Sequence, residues 1–309
     1  MKNNRPNNLA IIDCGTNSVR FYVFDIDKNG KFVPRCKEKI MIRLGDGLFD
    51  DNKLTPEAKQ RGVAAFKYFQ VLISQFKPET VRAIATSALR EANDSAEFVD
   101  EVRRETGIEI DVISEEEEAR LIAVGVTSGV YEVHGEPLVL VDIGGGSTEI
   151  SLCHGADIEF SASLRFGAAR SQQNYLKNSP PKNGSQLKLR QALNDKLKEF
   201  SPRFPFASAQ RLIGSSGSIR ALGKVCTHTA GENGPFDRGD LEAFIKRIEV
   251  LDKSQLALIP ELEPRRVDLI LAAAVILDEI AAYFGAAEII PTSRSLVDGI
   301  LHDSFLLSA

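Results

Sequence analysis

The chain has 309 residues, of which 43% are hydrophobic, and this is enough for about two globular domains of ordinary size. Its 38 Lys and Arg residues against 43 Asp and Glu residues give a formal net charge of -5, which excludes a nucleic-acid binder held by bulk positive charge. No window reaches the roughly 18 consecutive apolar residues of a membrane span, and the N-terminus lacks the apolar core of a signal peptide. The four cysteines are too scattered for a zinc site or a disulfide scaffold. We therefore expect a cytoplasmic protein without nucleic-acid or membrane partners, in which local donors bind any anionic ligand.

The first half begins with the pattern of a β-hairpin. An apolar run at 9–12 ends at Asp13, passes through small turn residues and resumes at 19–24. Periodicity and capping signals then predict an extended stretch followed by alternating helices and strands. These are an extended stretch at 31–44, a helix at 56–74, a strand at 81–86, a helix at 95–105, a strand at 109–113 and a helix at 115–127.

The second half repeats the hairpin. Residues 9–18 can be laid over residues 138–147 without a gap, matching Leu, Asp, Gly and Ser at a constant offset of 129 residues. The elements predicted after it are an extended stretch at 158–165, a helix at 186–199, a strand at 211–213, helices from Ser218 and from Asp240, a long helix at 265–284 and a strand at 288–290. Two copies predict two α/β domains, at 1–128 and 129–309, with a hinge in 127–137. We allow for the last helix packing back on the first domain.

Both hairpin turns have the composition of an anion site. A strand that ends in Asp-x-Gly and folds straight back leaves backbone N–H groups pointing out of the turn, which suits phosphate oxygens. The candidate phosphate-binding residues are Gly15, Thr16, Asn17 and Ser18 in the first turn and Gly144, Gly145, Gly146 and Ser147 in the second. Glycines that only close a hairpin are the alternative. Because the turns lie at corresponding ends of their sheets, a closing cleft would bring both around one ligand.

Charged residues flank both turns. Asp13 and Asp142 end the two first strands, and a carboxylate beside phosphate is repulsive unless a cation lies between them. Mg²⁺ or another divalent cation, bound by few protein carboxylates together with water and phosphate oxygens, resolves the conflict. Arg20 and Glu149 hold equivalent positions two residues after each Ser, so Arg20 is a candidate for phosphate and Glu149 for metal or water. A solvent-facing pair of strand residues is the alternative for both.

Two further residues in the first half are candidates for catalysis. Arg90 follows a strand that ends in two hydroxyls and offers a bidentate fork for phosphate, although a plain helix cap by Ser87 also explains the segment. The acidic run at 114–118 is mostly explained by a capping box and the helix dipole. At about 100° per residue, however, Glu118 lies on the apolar face of its helix. It is either a general base whose pKa is raised by burial or an inward-facing structural ion pair.

These motifs together resemble the exopolyphosphatase / guanosine pentaphosphate phosphohydrolase family, of the sugar kinase, heat-shock protein and actin superfamily. The resemblance covers nearly the whole chain and depends on residues 13–20, 86–92, 113–122 and 142–149. It implies two ribonuclease H-like (actin-like ATPase) domains with a central cleft, Glu118 as the catalytic base, Asp142 and Glu149 on Mg²⁺ and water, and Arg90 on phosphate. The substrate candidates are inorganic polyphosphate and guanosine pentaphosphate, and a homodimer is plausible.

Three departures from the family pattern are visible. The usual Leu-Arg-Glu-Gly ending is Leu296-Val297-Asp298-Gly299, which lacks the arginine, and a usual Gly-Gly-Thr turn is Ser216-Gly217-Ser218. The third departure is length: long family members carry a further helical region, so the resemblance does not extend to processive action on long polymers. A sugar or acyl kinase of the same superfamily, and a non-catalytic polyphosphate or alarmone sensor, are the alternatives to hydrolysis.

Overall fold

The computed structural model describes residues 7–27, 31–128, 137–154, 157–182, 184–227 and 234–306. The chain divides into two compact units, one made of Met1–Leu121 together with Leu296–Ala309 and the other of Ile122–Ser295. The domain boundary placed at residue 128 from the sequence stays a prediction, because residues 129–136 of the expected hinge lie outside the described residues.

A five-stranded sheet forms the centre of the first unit. Its strands are β1 (Asn8–Cys14), β2 (Val19–Ile26), β3 (Phe32–Ile40), β4 (Thr80–Ala85) and β5 (Ile110–Val112), in the order β3-β2-β1-β4-β5. β1 is antiparallel to β2 and parallel to β4, so the predicted hairpin is confirmed and lies beside a parallel crossover. The extended stretch expected up to residue 44 ends earlier, at Ile40, where the chain leaves β2.

Helices pack on this sheet through an aromatic core. They are α1 (Leu48–Asp51), α2 (Pro56–Phe76), α3 (Ser87–Glu91), α4 (Ser95–Thr106) and the start of α5 (Glu115–Thr127). Phe69 of α2 stacks on Phe21 of β2 with ring centroids 5.2 Å apart, and Phe66 meets Phe98 of α4 edge to face at 6.5 Å. Alternation along β2 therefore points Phe21 into the core and its neighbour Arg20 to the opposite face.

The second unit repeats this strand order. Its strands are β6 (Pro137–Ile143), β7 (Thr148–His154), β8 (Asp157–Leu164), β9 (Arg211–Ser215), β10 (Phe236–Asp237) and β11 (Glu288–Pro291), in the order β10-β11-β9-β6-β7-β8. Apart from the short edge strand β10, the order β8-β7-β6-β9-β11 corresponds strand for strand to β3-β2-β1-β4-β5. The repeat seen in the sequence is thus a repeat of topology.

The remaining helices are α6 (Ala168–Asn174), α7 (Ser185–Phe200), α8 (Gly217–Thr227), α9 (Arg238–Ile248), α10 (Lys253–Leu256), α11 (Ile270–Phe284) and α12 (Leu296–Leu306). α11 is buried along most of its length and forms the centre of the second core. The prediction that this helix begins at residue 265 is wrong. Residues Pro264–Arg266 form a separate 3₁₀ turn, closed by the Arg266 amide on the Glu263 carbonyl, and the α-helix starts only where the sequence becomes continuously apolar.

Both units are therefore α/β layers of the ribonuclease H-like, actin-like ATPase class, as expected. No helix in the described ranges is both long enough and apolar enough to cross a membrane. α12, although last in the chain, belongs to the first unit. Its Gly299 lies so close to the α5 backbone that a Cβ atom there would overlap the Leu121 carbonyl.

Candidate functional site

The two predicted phosphate-binding turns are closed by the same hydrogen bond. In the first unit the Gly15 amide donates to the Ser18 carbonyl at 3.1 Å, and in the second unit the Gly144 amide donates to the Ser147 carbonyl at 2.9 Å. These four residues are related by the 129-residue offset of the sequence repeat. The turns are thus equivalent in conformation as well as in sequence.

In each unit, the segment that follows the third strand of the sheet donates backbone hydrogen bonds to the carbonyls of the turn. In the first unit the Arg43 amide donates to the Asn17 carbonyl at 3.0 Å, and the Gly45 amide donates to the Thr16 carbonyl at 2.9 Å. We call the segment 43–45 the first-unit support. The sequence analysis did not identify it as part of the site.

In the second unit the support is residues 167–170, at the start of α6. The Gly167 amide donates to the Gly146 carbonyl at 3.1 Å, and the Ala169 amide donates to the Gly145 carbonyl at 2.8 Å, so the acceptors are those expected from the repeat. The Ala168 amide adds a bond to the Gly144 carbonyl at 2.9 Å.

These bonds orient the turns for an anion. The C=O and N–H of a trans peptide point in opposite directions, so a turn whose carbonyls face its support presents its N–H groups on the other side. Three consecutive carbonyls, of Gly144, Gly145 and Gly146, are fixed in this way. A row of such N–H groups is the arrangement that binds phosphate oxygens.

Charged side chains stand in one row across three strands beside the first turn. Asp13, Arg20 and Lys39 are directly opposite one another on β1, β2 and β3, and we call them the first-unit row. Arg20 Nη1 donates to Asp13 Oδ2 at 3.2 Å, so Arg20 is not a solvent-facing strand residue. Burial raises the pKa of Asp13, and the positive charges of Arg20 and Lys39 oppose that rise.

The equivalent row in the second unit has a net charge of the opposite sign. Asp142, Glu149 and Ser163 are directly opposite one another on β6, β7 and β8, and we call them the second-unit row. Glu149 is only 2% exposed and accepts a hydrogen bond from Ser163 Oγ at 2.8 Å, which rules out a solvated strand residue. Like charges directly opposite in a sheet are destabilising. The pair Asp142 and Glu149 therefore suits a cation.

Arg90 and Glu118 are brought together within the first unit. Arg90 Nη2 donates to Glu118 Oε2 at 3.0 Å and Arg90 Nη1 donates to the Ile113 carbonyl at 2.9 Å. Glu118 is 7% exposed, as its place on the apolar helix face predicts. The buried Arg90 Nε has no hydrogen-bond partner among the described residues and lies 4.0 Å from Glu115 Oε1. Glu118 is thus ion-paired, which leaves a catalytic role to be tested.

The residues around this pair are fixed by other contacts. Ser87 does not cap α3, because the N-cap is Thr86 and Ser87 Oγ instead donates to Glu91 Oε1 at 2.9 Å. Ser114 Oγ caps α5 by accepting from the Glu117 amide at 3.2 Å.

Val297, where the family has arginine, is buried on α12. Burial also raises the pKa of the Cys14 thiol, so Cys14 has no sign of an activated nucleophile.

The described residues contain no group of three or more His, Cys, Asp or Glu side chains placed to hold a metal. Asp142 and Glu149 are two carboxylates directly opposite each other beside the second turn. This number fits Mg²⁺, which keeps several waters and takes substrate phosphate oxygens, and it does not fit an all-protein cage.

Two repeated sheets of this topology, each with a matched glycine turn, define a two-unit α/β protein of the actin-like fold class. A crystal structure described as an exopolyphosphatase-like protein superimposes with a TM-score of 0.90 at 25% identity, covering 99% of this chain and 100% of the other. The chain belongs to the Ppx/GppA phosphatase family, whose model matches residues 23–308.

Curated relatives agree with this assignment. Exopolyphosphatase 2 of Mycobacterium tuberculosis is 27% identical over 310 residues, covering 94% of this chain and 97% of that protein. A bifunctional 3-dehydroquinate synthase/phosphatase of Fusobacterium nucleatum is 29% identical over 313 residues. That alignment covers 94% of this chain but 46% of the longer protein, so the chain spans about half of that relative.

Proposed function

We propose that this protein is a divalent-cation-dependent phosphohydrolase that releases terminal phosphate from inorganic polyphosphate, with guanosine pentaphosphate as the second candidate substrate. The observation that carries the proposal is the pair of matched turns, each with its carbonyls tied to a support and each beside a charged row. A hairpin turn that had only a structural role would not need this arrangement twice. The names of the relatives support polyphosphate as the substrate.

We propose that Asp142 and Glu149 hold the cation, which is expected to be Mg²⁺. When bound, it would offset the charge of the phosphate oxygens and polarise the bond to the leaving group. Ser163 fixes the Glu149 carboxylate by its hydrogen bond, so one ligand of the pair is oriented in advance. Asp13, which is also a metal candidate from the sequence, pairs with Arg20 in its own unit.

We propose that Glu118 accepts a proton from the attacking water. The guanidinium of Arg90 stabilises the ionised carboxylate, which is the form able to take a proton, and holds its orientation. Arg90 thereby acts as a positioning residue for Glu118, and its direct contact with phosphate stays a prediction.

The anion would be held by backbone rather than by bulk charge. The N–H groups of 16–18 and 145–147 would bind the phosphate oxygens, whereas the Gly15 and Gly144 amides close the turns, and Arg20 would add a guanidinium at the edge of the first turn. Negative charge spreads over the transferred phosphoryl group in the transition state, so donors fixed in advance by a support stabilise it without reorganisation. That both turns close on one ligand across a cleft stays a prediction from the sequence.

The deciding experiment measures phosphate release by purified protein with Mg²⁺. Tripolyphosphate, long polyphosphate, guanosine pentaphosphate and ATP are supplied separately, without an acceptor sugar. We expect release from at least one polyphosphate. Phosphate transfer from ATP that occurs only when an acceptor sugar is then added would instead identify a kinase, and ligand-induced thermal stabilisation without release would identify a sensor.

The variant Glu118→Gln tests the mechanism. It should lower kcat about 10²- to 10⁴-fold, the usual contribution of a general base, while tripolyphosphate still raises the melting temperature. Glu117→Gln is the matched control, because Glu117 is the adjacent acid on α5 but is only half-buried and is paired with Arg120. Equal turnover in the two variants would remove Glu118 from the mechanism.

A homodimer is also proposed, and sedimentation with and without substrate would test it.

A further inference from the structure

Arg61 of α2 extends its side chain to the first-unit support. Its Nε donates to the Ile42 carbonyl at 2.8 Å, and its Nη2 donates to the Arg43 carbonyl at 3.2 Å. The same Nη2 lies 3.2 Å from Asp46 Oδ2. Arg61 is half-buried. One planar guanidinium therefore contacts the support and the residues on either side of it.

The bond to Ile42 acts on the same peptide group that holds the first turn. The Ile42 carbonyl and the Arg43 amide belong to one peptide, and in a trans peptide these two groups point in opposite directions. Arg61 binds this peptide on its carbonyl side, while the amide on the other side donates to the Asn17 carbonyl at 3.0 Å. The orientation of the turn is thus linked to α2 through a single rigid plane.

The backbone of the support has a conformation that needs such fixing. Arg43 has a φ of 46°, in the left-handed region that residues other than glycine rarely adopt. Its carbonyl accepts both from the Asp46 amide at 3.1 Å and from Arg61. Hydrogen bonds on both sides of residue 43 therefore hold a strained residue in place.

We propose that Arg61 is a positioning residue for the first phosphate-binding turn. It orients the peptide between residues 42 and 43, so that the support keeps the N–H groups of residues 16–18 directed at phosphate. This inference rests on the proposed function and goes beyond it, because it assigns a role in substrate binding to a residue of α2, outside the turns, the rows and the supports.

The second unit also uses an arginine at the carbonyls of its turn. Arg170 of the support donates from Nε to the Gly146 carbonyl at 2.7 Å, and its amide donates to the Gly145 carbonyl at 3.0 Å. An arginine thus fixes the carbonyl side of the turn directly in the second unit and through one peptide in the first. The rigid fork of a guanidinium suits this role, because it can bridge two acceptors in a fixed geometry, which the single ammonium of lysine cannot.

Two nearby residues provide matched controls. Lys59 is a half-buried cation on the same helix, but it pairs with Asp94 at 2.8 Å and with Glu97 at 3.3 Å, neither of which belongs to the support. Asp46→Asn removes the ion pair of Arg61 and keeps its two bonds to carbonyls. Because Asp46 is exposed, that ion pair contributes little.

The test compares Arg61→Met with Lys59→Met and Asp46→Asn in hydrolysis of tripolyphosphate, with orthophosphate as a competitive inhibitor. Arg61→Met should raise the KM for tripolyphosphate and the inhibition constant of orthophosphate about tenfold, the loss expected when one N–H group no longer bonds a charged oxygen. Both controls should keep the wild-type values. A merely structural role would reduce the folded fraction, and hence kcat, without changing either constant.

Amide hydrogen exchange gives a readout that does not depend on activity. The amides of Arg43 and Gly45, which donate to the turn, should exchange at least about tenfold faster in Arg61→Met, measured residue by residue by NMR. In Lys59→Met they should exchange as in the wild type.

The outcomes separate this inference from the proposed function. Wild-type constants in Arg61→Met, or an equal rise in either control, would overturn the role of Arg61 and leave the proposed function standing. If the wild type neither binds nor hydrolyses tripolyphosphate, the proposed function fails, and the exchange rates then decide whether Arg61 positions the turn. If Arg61→Met does not fold, Arg61→Lys replaces it, with a smaller rise expected in both constants.

Discussion

Gly167 is the residue of the second-unit support at which one added methyl group should do most damage. A Cβ atom there would overlap the carbonyl group of Gly145 and the nitrogen of Gly146. Both are backbone atoms, so no side chain can rotate away to relieve the overlap. In Gly167→Ala either the support or the turn must move, and the bonds from residues 167–170 to the turn must lengthen.

The size of the effect follows from this geometry. Overpacking costs about 1–3 kcal/mol of unfolding free energy. The bonds of this support to the turn contribute about 0.5–1.5 kcal/mol each, so losing two of them gives a loss of similar size. A ligand bond to one misdirected N–H group is worth about 1.5–3 kcal/mol when the acceptor is charged, so kcat/KM should fall at least about tenfold.

The assay measures unfolding by urea and phosphate release from tripolyphosphate for wild type, Gly167→Ala and Gly239→Ala. Gly239 is the matched control, because it lies in α9 of the same unit with open space around its Cβ position, and alanine should be neutral or stabilising there. If Gly167→Ala retained both the stability and the kcat/KM of the wild type, the argument that the supports orient the turns would be refuted.

Three more predictions concern other parts of the molecule. Gly299→Ala should lower the unfolding free energy by about 1–3 kcal/mol, since the new methyl group would overlap the α5 backbone, and a wild-type urea midpoint would contradict this packing. Burial alone would raise the pKa of Asp94, but hydrogen bonds from Lys59 Nζ and the Leu54 amide hold it below its usual value. Its contribution to stability is therefore present above pH of about 4 and lost as pH falls, so Asp94→Asn should differ from wild type at pH 7 and converge with it near pH 2 in urea titrations; an equal difference at both pH values would count against the pair. Glu149→Gln should raise the Mg²⁺ concentration needed for half-maximal activity while leaving the metal-free protein at least as stable, because a like-charge contact is removed, and unchanged Mg²⁺ dependence would exclude Glu149 as a ligand.

The fold was largely predictable because its signals are local. A constant offset between two Asp-x-Gly turns predicted two related units, and the structure confirms the repeat through the order of the strands. The long periodic helix α2 was found within two residues at each end. The short helices α1, α3, α6 and α10 were missed, because four to seven residues do not complete enough turns to show a period.

The site was predicted in part, and the reason is again physical. Side chains that bear charge, such as Glu118 and Glu149, were recognisable because a carboxylate on an apolar face or beside a turn needs an explanation. The supports act through backbone amides, which every residue has, so no side chain marked them. The pairing of Arg90 with Glu118 joins residues 28 apart, and each residue was assigned a separate role from its own local motif.

The place of α12 affects the order in which the two units complete their folding during translation. Arg82 donates to Ser304 and Arg120 to Asp303, so these partners are translated 222 and 183 residues after the arginines. At about 5–20 residues per second the amino-terminal unit waits roughly 10–40 s for its final helix, longer than the carboxy-terminal unit waits for any of its own. During that interval the surfaces of β1 and α5 that α12 later covers are open to chaperones and to neighbouring nascent chains, and the unit whose strands are made first is completed only after the strands of the other unit.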